Sequence, residues 1–106
     1  MIGIFGGTFD PVHYGHLRSA LEAKEIFGLE EVRLILSAQP PHRNSPHAPA
    51  QQRAEMVRLA IENQPGLIVD TRECDREGAS YMIDTLISLR HDYFQTPLLL
   101  IIGSDA

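Results

Sequence analysis

Two histidines lie three residues apart in a glycine-rich segment near the start of the chain, GGTFDPVHYGH from Gly6 to His16. The segment matches neither the GxGxxG pattern nor the Walker A pattern, yet it meets the same physical need. Gly6 and Gly7 have no Cβ, so a phosphate group can approach their backbone closely. Thr8 adds a hydroxyl and a main-chain N–H, and we expect His16 to open a helix whose free N–H groups attract an anion. The segment therefore predicts a phosphate site that both His13 and His16 reach.

The residues alone leave other interpretations of this segment open. The two glycines also suit a simple tight turn between a strand and a helix. The H-x-x-H spacing of His13 and His16 also occurs in metal sites, and His42 and His47 would complete a set of four. Because no cysteine or acidic residue is suitably spaced beside the first pair, we predict no metal ligands.

The hydrophobic pattern predicts four strands and three helices in strict alternation. Short apolar runs indicate strands, and apolar residues at helical spacing indicate helices. The predicted strands are 2–5, 32–36, 67–70 and 98–102, and the predicted helices are 16–27, 51–63 and 80–91. Ser80 is the expected cap of the third helix. This alternation, with nearly continuous apolar strands, predicts a Rossmann-like α/β fold, a parallel sheet with helical crossovers.

Each predicted helix has residues aligned along one face, and we expect the apolar ones to face the core. These faces comprise Leu17, Ala20, Leu21, Ala23 and Phe27 in the first helix, Ala54, Val57, Ala60 and Ile61 in the second, and Ile83, Leu86, Ile87 and Arg90 in the third. Arg53 and Arg58 are expected on the exposed side of the second helix. Glu73, Asp75 and Glu77 are expected to form a solvated charged surface before the third helix.

The loops that follow the strands are the expected place for a ligand, because ligands of open α/β sheets bind beyond the carboxyl ends of the strands. These loops are 6–15, 37–50, 71–79 and the residues after 102. Loop 37–50 contains four prolines and two histidines. Long loops of this kind are usually functional or mobile, and the length favours a lid.

Length and charge limit the classes of function. The 106 residues suit a single domain, placed at 1–106. A net charge of −5 disfavours binding of duplex nucleic acid, which usually needs a basic surface. No apolar stretch approaches the roughly 20 residues that cross a bilayer, and no basic region marks a signal peptide, so we expect a cytoplasmic protein. A single cysteine, Cys74, excludes an intramolecular disulfide and a cysteine-cluster metal site.

Four segments in order carry a family resemblance. They are GGTFDPVHYGH; PPHR at 40–43, similar to a PPHK loop; ECDREGASYMIDTL at 73–86, similar to E…SYTxxTL; and LLLIIGSD at 98–105, similar to a strand followed by GxD. Together they resemble the HxGH nucleotidyltransferase superfamily and, within it, the nicotinate-nucleotide adenylyltransferases. The resemblance extends over the whole chain. Arg43 stands where that family usually has Lys, and Met82 stands where it commonly has Thr. Arg53 occupies a position that is often Arg in that family.

The resemblance implies a reaction in which the phosphate of nicotinate mononucleotide attacks the α-phosphorus of ATP. Pyrophosphate leaves, and nicotinate adenine dinucleotide forms, as a step of NAD biosynthesis. Mg²⁺ would be carried by ATP, without dedicated protein ligands. The implied partners are ATP and nicotinate mononucleotide, with no nucleic acid and no membrane. The sequence does not decide between a monomer and a homo-oligomer.

The same resemblance assigns roles to residues. The catalytic candidates are His13, His16 and Arg43. The nucleotide-binding candidates are Gly6, Gly7, Thr8, Phe9, Gly103 and Asp105. The substrate-binding candidates are His42, Tyr81 and Thr85.

The sequence leaves two alternative functions open. One is an adenylyltransferase that acts on nicotinamide mononucleotide or another phosphorylated acceptor. The other is an inactive nucleotide-binding fragment, because family members are about twice as long and their later motifs, an aromatic segment and ISSTxIR, do not occur in this sequence. On that comparison the chain is the N-terminal portion, about half, of a nucleotidyltransferase domain, and we expect it to have little activity alone.

Overall fold

A computed structural model describes residues 1–38, 46, 48–76 and 81–102. The described residues form β1 (Ile2–Gly7), α1 (Tyr14–Ile26), β2 (Glu31–Leu36), α2 (Ala50–Ile61), β3 (Leu67–Asp70), a 3₁₀ helix (Arg72–Asp75), α3 (Met82–Asp92) and β4 (Leu98–Ile101). The four strands and three helices were expected from hydrophobic periodicity. The predicted α/β fold class is confirmed.

The four strands are parallel and lie in the order β3-β2-β1-β4. β1 is therefore an interior strand, paired with β2 along one edge and with β4 along the other. The chain moves outward from β1 to β3 and then crosses to the opposite side of β1. This reversal creates a topological switch point between β1 and β4, the place where open α/β sheets bind ligands.

Helices cover both faces of the sheet. On one face, Ala20 of α1 and Val57 of α2 join the same buried cluster as Leu34 of β2. On the other face, Leu89 of α3 packs with Ile4 of β1. Successive strand residues point to opposite faces, so each interior strand supplies both clusters. Burying one such side chain contributes about 1.5–3 kcal/mol, which makes these two layers the main support of the fold.

The predicted buried face of α2 is confirmed, whereas that of α3 is wrong except for Leu86, which packs against the cluster of Ile4 and Leu89. α3 buries Thr85 and Leu89, and it leaves Ile83 and Ile87 67% and 63% exposed. Ile83 and Ile87 are four residues apart, as are Thr85 and Leu89, so helical spacing alone does not show which pair is buried. The packing of Leu89 against the sheet determines which face of α3 is buried. Phe27, predicted to be buried, is also exposed, because it follows the last residue of α1 as its C-cap.

Two predicted boundaries near the glycine-rich segment are corrected. β1 continues through Gly6 and Gly7, which pair with Ile35 and Leu36 of β2, so the loop begins at Thr8. The backbone of a glycine forms the same ladder hydrogen bonds as that of any other residue, although its side chain adds nothing to the apolar pattern. α1 begins at Tyr14, and His16 therefore lies inside its first turn.

Two further predictions concern the region between β3 and α3. Residues 72–75, predicted as open loop, form a 3₁₀ helix. Ser80, the predicted cap of α3, lies outside the described residues, and Tyr81 occupies the N-cap position without a side-chain capping bond.

Asp70, the last residue of β3, is a buried acceptor at the carboxyl edge of the sheet. Its carboxylate accepts hydrogen bonds from Nε of Arg33 at 3.0 Å and from Nε and the backbone N–H of Arg72 at 2.9 and 3.0 Å. Burial alone would raise the pKa of Asp70, but the bonds from Arg72 and Arg33 outweigh burial and lower it. The carboxylate thereby ties the start of the 3₁₀ helix to β2.

Asp70→Asn should lower the free energy of unfolding at neutral pH by about 2 kcal/mol, since hydrogen bonds to charged groups contribute roughly 1.5–3 kcal/mol. The folded-state pKa is lowered, so the stabilisation is fully present above the unfolded-state pKa and is lost as the pH falls through the folded-state value. The variant should therefore have a flatter acid side of its stability curve, measured by urea unfolding from neutral to acidic pH. Asp92→Asn, which removes the 53% exposed partner of Arg72, is the control. An equal loss in both variants would contradict the assignment.

Candidate functional site

The candidate site lies where β1 and β2 end side by side. Gly7 is paired with Leu36, and the N–H of Ser37 donates to the carbonyl of Gly7 at 2.8 Å. On the other side of β1, the last paired residue of β4 lies opposite Phe5. The two glycines therefore project beyond β4 at the switch point.

His13 and His16 cap α1 reciprocally. His13 is the N-cap, and its Nδ1 accepts the N–H of Gly15 at 3.1 Å. Nδ1 of His16 accepts the backbone N–H of His13 at 3.0 Å. The two rings are stacked, with centroids 3.7 Å apart. This is a capping box in which imidazoles replace the usual hydroxyl and carboxamide or carboxylate groups.

The two capping bonds fix what the imidazoles can offer to a ligand. Because each Nδ1 accepts an N–H, each neutral ring carries its proton on Nε2 and presents an Nε2–H donor. Burial lowers the pKa of His16, and the neighbouring His13 lowers it further. His16 is therefore held as a neutral donor. Such donors suit phosphate oxygens, and they do not provide a base.

Phe9 supports His16 from beneath. Its ring is 2% exposed and meets the His16 ring edge-on, with centroids 5.0 Å apart. Its φ of +50° lies in the left-handed region, where a non-glycine residue is uncommon. A Cβ on Gly7 would lie 3.0 Å from the Phe9 ring, so glycine leaves room for this packing. The predicted contact of the Phe9 backbone with nucleotide stays a prediction.

On the opposite face of β1, Gly6 lies against Met82. A Cβ on Gly6 would collide with Cε of Met82. The first turn of α3 is thereby placed over the carboxyl end of β1. Thr8 follows β1 directly and is half-buried.

Thr85 and Tyr81 occupy different environments at the start of α3. Tyr81 is 48% exposed, whereas Thr85 is fully buried. The hydroxyl of Thr85 donates to the Glu73 carboxylate and accepts from Nη2 of Arg76 at 2.7 Å. Contacts of Tyr81 and Thr85 with a pyridine nucleotide stay predictions. The predicted solvation of Glu73 is wrong: this carboxylate is 3% exposed, because Thr85 and Arg76 satisfy it.

The structure thus brings together the described candidates at the end of β1. These are Gly6, Gly7, Thr8, Phe9, His13 and His16. Four other candidates, His42, Arg43, Gly103 and Asp105, lie outside the described residues, as does most of loop 37–50.

Among the described residues, no group of three or more His, Cys, Asp and Glu side chains could hold a metal ion. Among the helices described, none is long and apolar enough to cross a membrane.

Sequence reasoning did not predict the burial of Arg53, and its expected exposure is wrong. Arg53 is 1% exposed, and its guanidinium donates to main-chain carbonyls beside the ends of β1 and β2. A signal was available: Arg53 lies three residues after Ala50 and four before Val57, on the buried stripe of α2. Arg58, by contrast, is exposed as predicted.

Residues 4–106 match the family model described as cytidylyltransferase-like. The chain belongs to the cytidylyltransferase-like family. Its similarity to curated relatives extends over nearly its whole length. It is 53% identical to a probable nicotinate-nucleotide adenylyltransferase of Aeromonas hydrophila, 54% to one of Methylococcus capsulatus and 54% to one of Pseudomonas putida.

These three alignments cover 99%, 100% and 99% of this cytidylyltransferase-like chain but 49%, 51% and 48% of the relatives. The chain therefore spans about half the length of the curated relatives it matches.

Two solved structures have the same fold as this family member. Both are Plasmodium falciparum nicotinic acid mononucleotide adenylyltransferase, one complexed with NaAD and the other with APC. Their TM-scores are 0.82 and 0.75, and their sequence identities are 17% and 19%. Each match covers 98% of this chain, and 52% and 51% of the respective neighbour. At these identities the likeness establishes the Rossmann-like α/β fold.

His13→Asn should raise the pKa of His16 toward the ordinary value of about 6.5. Asparagine keeps an oxygen that can accept the Gly15 N–H, but it carries no charge to oppose protonation of His16. Burial of His16 remains, so its pKa should stay below the ordinary value. An NMR titration of the imidazole protons measures the change, and Tyr14→Phe, at a 77% exposed neighbour, is the control. An unchanged or lower pKa in His13→Asn would refute the coupling.

Proposed function

We propose that the protein transfers an adenylyl group from ATP to nicotinate mononucleotide, giving nicotinate adenine dinucleotide and pyrophosphate. The observation that carries the proposal is the pair of Nε2–H donors on His13 and His16, held at the end of β1 by reciprocal capping bonds. Support for the two substrates comes from the 53–54% identity to probable nicotinate-nucleotide adenylyltransferases.

In the proposed step, a phosphate oxygen of the mononucleotide attacks the α-phosphorus of ATP. The bond from the α-phosphorus to the oxygen that bridges to the β-phosphate breaks, and pyrophosphate leaves with that electron pair. A phosphate monoester has a second pKa of about 6, so the nucleophile is largely ionised at neutral pH without a base. The two donors act on oxygens where negative charge increases, and the backbone holds them in place beforehand.

We propose that Mg²⁺ enters as part of the ATP substrate. The described residues around the end of β1 offer N–H donors and the Thr8 hydroxyl rather than a cluster of carboxylates. This donor set suits phosphate oxygens. Mg²⁺ prefers substrate phosphate oxygens and water, and it would neutralise charge on the triphosphate while the protein orients it.

The remaining candidates complete the proposal. Arg43 and His42 would add hydrogen bonds to phosphate oxygens from the loop after β2, and Arg is well suited to that geometry. Gly103 and Asp105 would contact the adenosine after β4. Tyr81 is exposed at the start of α3, where it is accessible to a pyridine nucleotide. A cytoplasmic location accords with these substrates.

Pyrophosphate release from Mg·ATP, measured separately with nicotinate mononucleotide and nicotinamide mononucleotide, tests the proposal in the full-length natural protein. We expect faster release with the acid. Faster release with the amide would overturn the choice of substrate, and release with neither would overturn the proposed reaction.

His16→Ala should lower kcat by about 10²–10³-fold, since losing one preorganised donor costs roughly 3–4 kcal/mol of transition-state stabilisation. Steady-state kinetics measure the loss, and circular dichroism verifies that the variant is folded. His91→Ala, at an exposed position in the last turn of α3, provides the matched control and should keep full activity. An unchanged kcat in His16→Ala would show that the phosphate role is misassigned.

A further inference from the structure

Arg53 is buried near the N-terminus of α2, where its guanidinium donates four hydrogen bonds. Nε donates to the carbonyl of Ala48 at 2.8 Å, and Nη2 donates to that of Ala38 at 3.1 Å. Nη1 donates to the carbonyls of Thr8 and Ser37 at 2.9 and 2.7 Å. All four acceptors are main-chain oxygens, so the arrangement depends on the path of the backbone.

These carbonyls belong to three segments that are separated along the sequence. Thr8 follows β1, Ser37 and Ala38 follow β2, and Ala48 leads into α2. One planar guanidinium touches all three segments. Because its donors form a rigid fork, it fixes the separation of the segments as well as their contact.

Asp10 reinforces the junction of these three segments. Its Oδ1 accepts the N–H of Ala48 at 3.1 Å, which ties the residues after β1 to the approach to α2. Burial lowers the pKa of Arg53, and the charge of Asp10 opposes that effect. A buried guanidinium is costly unless its N–H groups are satisfied, so a guanidinium at this place indicates a need for its hydrogen bonds rather than for apolar packing.

We propose that Arg53 is a positioning residue for nucleoside triphosphate binding and transfer: it sets the glycine-rich segment and the segment after β2 at the separation that the triphosphate requires. The inference rests on the proposed function for its ligand class. Arg53 acts through the carbonyls it holds and does not itself touch the substrate. A misplacement of about 1 Å in such a site costs on the order of 10²-fold in rate.

The experiment compares Arg53→Lys with Arg58→Lys and Val57→Ala in the full-length natural protein. Lysine keeps the charge of Arg53 but cannot reproduce the forked hydrogen-bond donors of the guanidinium. Arg58 lies on the same helix, exposed and paired with Glu55, so its replacement controls for a lost arginine. Val57 is fully buried, so its replacement controls for lost stability without touching the junction.

Kinetics are measured well below the unfolding temperature of each variant, and rates are expressed per folded molecule. We expect kcat to fall at least tenfold in Arg53→Lys and to stay within twofold of the wild type in both controls. Methylguanidinium should restore several-fold of the lost kcat to Arg53→Ala and nothing to Val57→Ala. If kcat per folded molecule is unchanged in Arg53→Lys, the residue acts only through stability and the inference is wrong.

A second readout separates this inference from the proposed function. If the wild type binds Mg·ATP but releases no pyrophosphate, the proposed reaction fails, and Arg53 is then judged by calorimetric affinity for Mg·ATP. We expect affinity at least tenfold weaker in Arg53→Lys and unchanged in Arg58→Lys. Equal affinities in the wild type and Arg53→Lys would overturn the inference, as would failure of the wild type to bind Mg·ATP.

Discussion

The central position of β1 is the constraint on which the rest of the molecule depends. This strand is hydrogen-bonded along both edges and covered on both faces, so its side chains must fit between two helical layers. Ile2 and Ile4 fill the space beneath α3. Gly3 leaves room for Leu29, whose Cδ1 would lie 2.8 Å from an added Cβ. The candidates from Gly6 to His16 lie where this strand ends.

Buried polar side chains hold the segments that leave the carboxyl edge of the sheet. Arg53 joins the residues after β1 and β2, Asp70 joins β2 to the 3₁₀ helix, and Glu73 joins that helix to Thr85 in α3. Within the described residues, no buried side-chain nitrogen or oxygen lacks a hydrogen-bond partner. Fully satisfied networks of this kind specify one arrangement of the backbone where apolar packing would permit several.

The sequence predicted the strands and their parallel arrangement because the strands of a parallel sheet covered by helices are apolar on both faces, a pattern that needs no knowledge of neighbours. It did not predict the environments of Arg53 and Glu73, since both depend on partners distant in the chain. Periodicity predicted a face of α3 that includes Ile83 and Ile87, and only the sheet beneath selects Leu89. The glycines of the first segment predicted a phosphate site, and that role stays a prediction. The sequence did not predict the capping role of His13, because an imidazole is an unusual N-cap.

Gly6 and Met82 are in contact above the end of β1, so side chains at these two positions would occupy the same space. The residue at position 82 extends into this space only because the residue at position 6 has no side chain. A flexible methionine fills the space with apolar surface and can withdraw its terminal methyl group, which a shorter, branched side chain at the same place cannot do. The apolar surface above the carboxyl end of β1 therefore depends on the residues at positions 6 and 82 together.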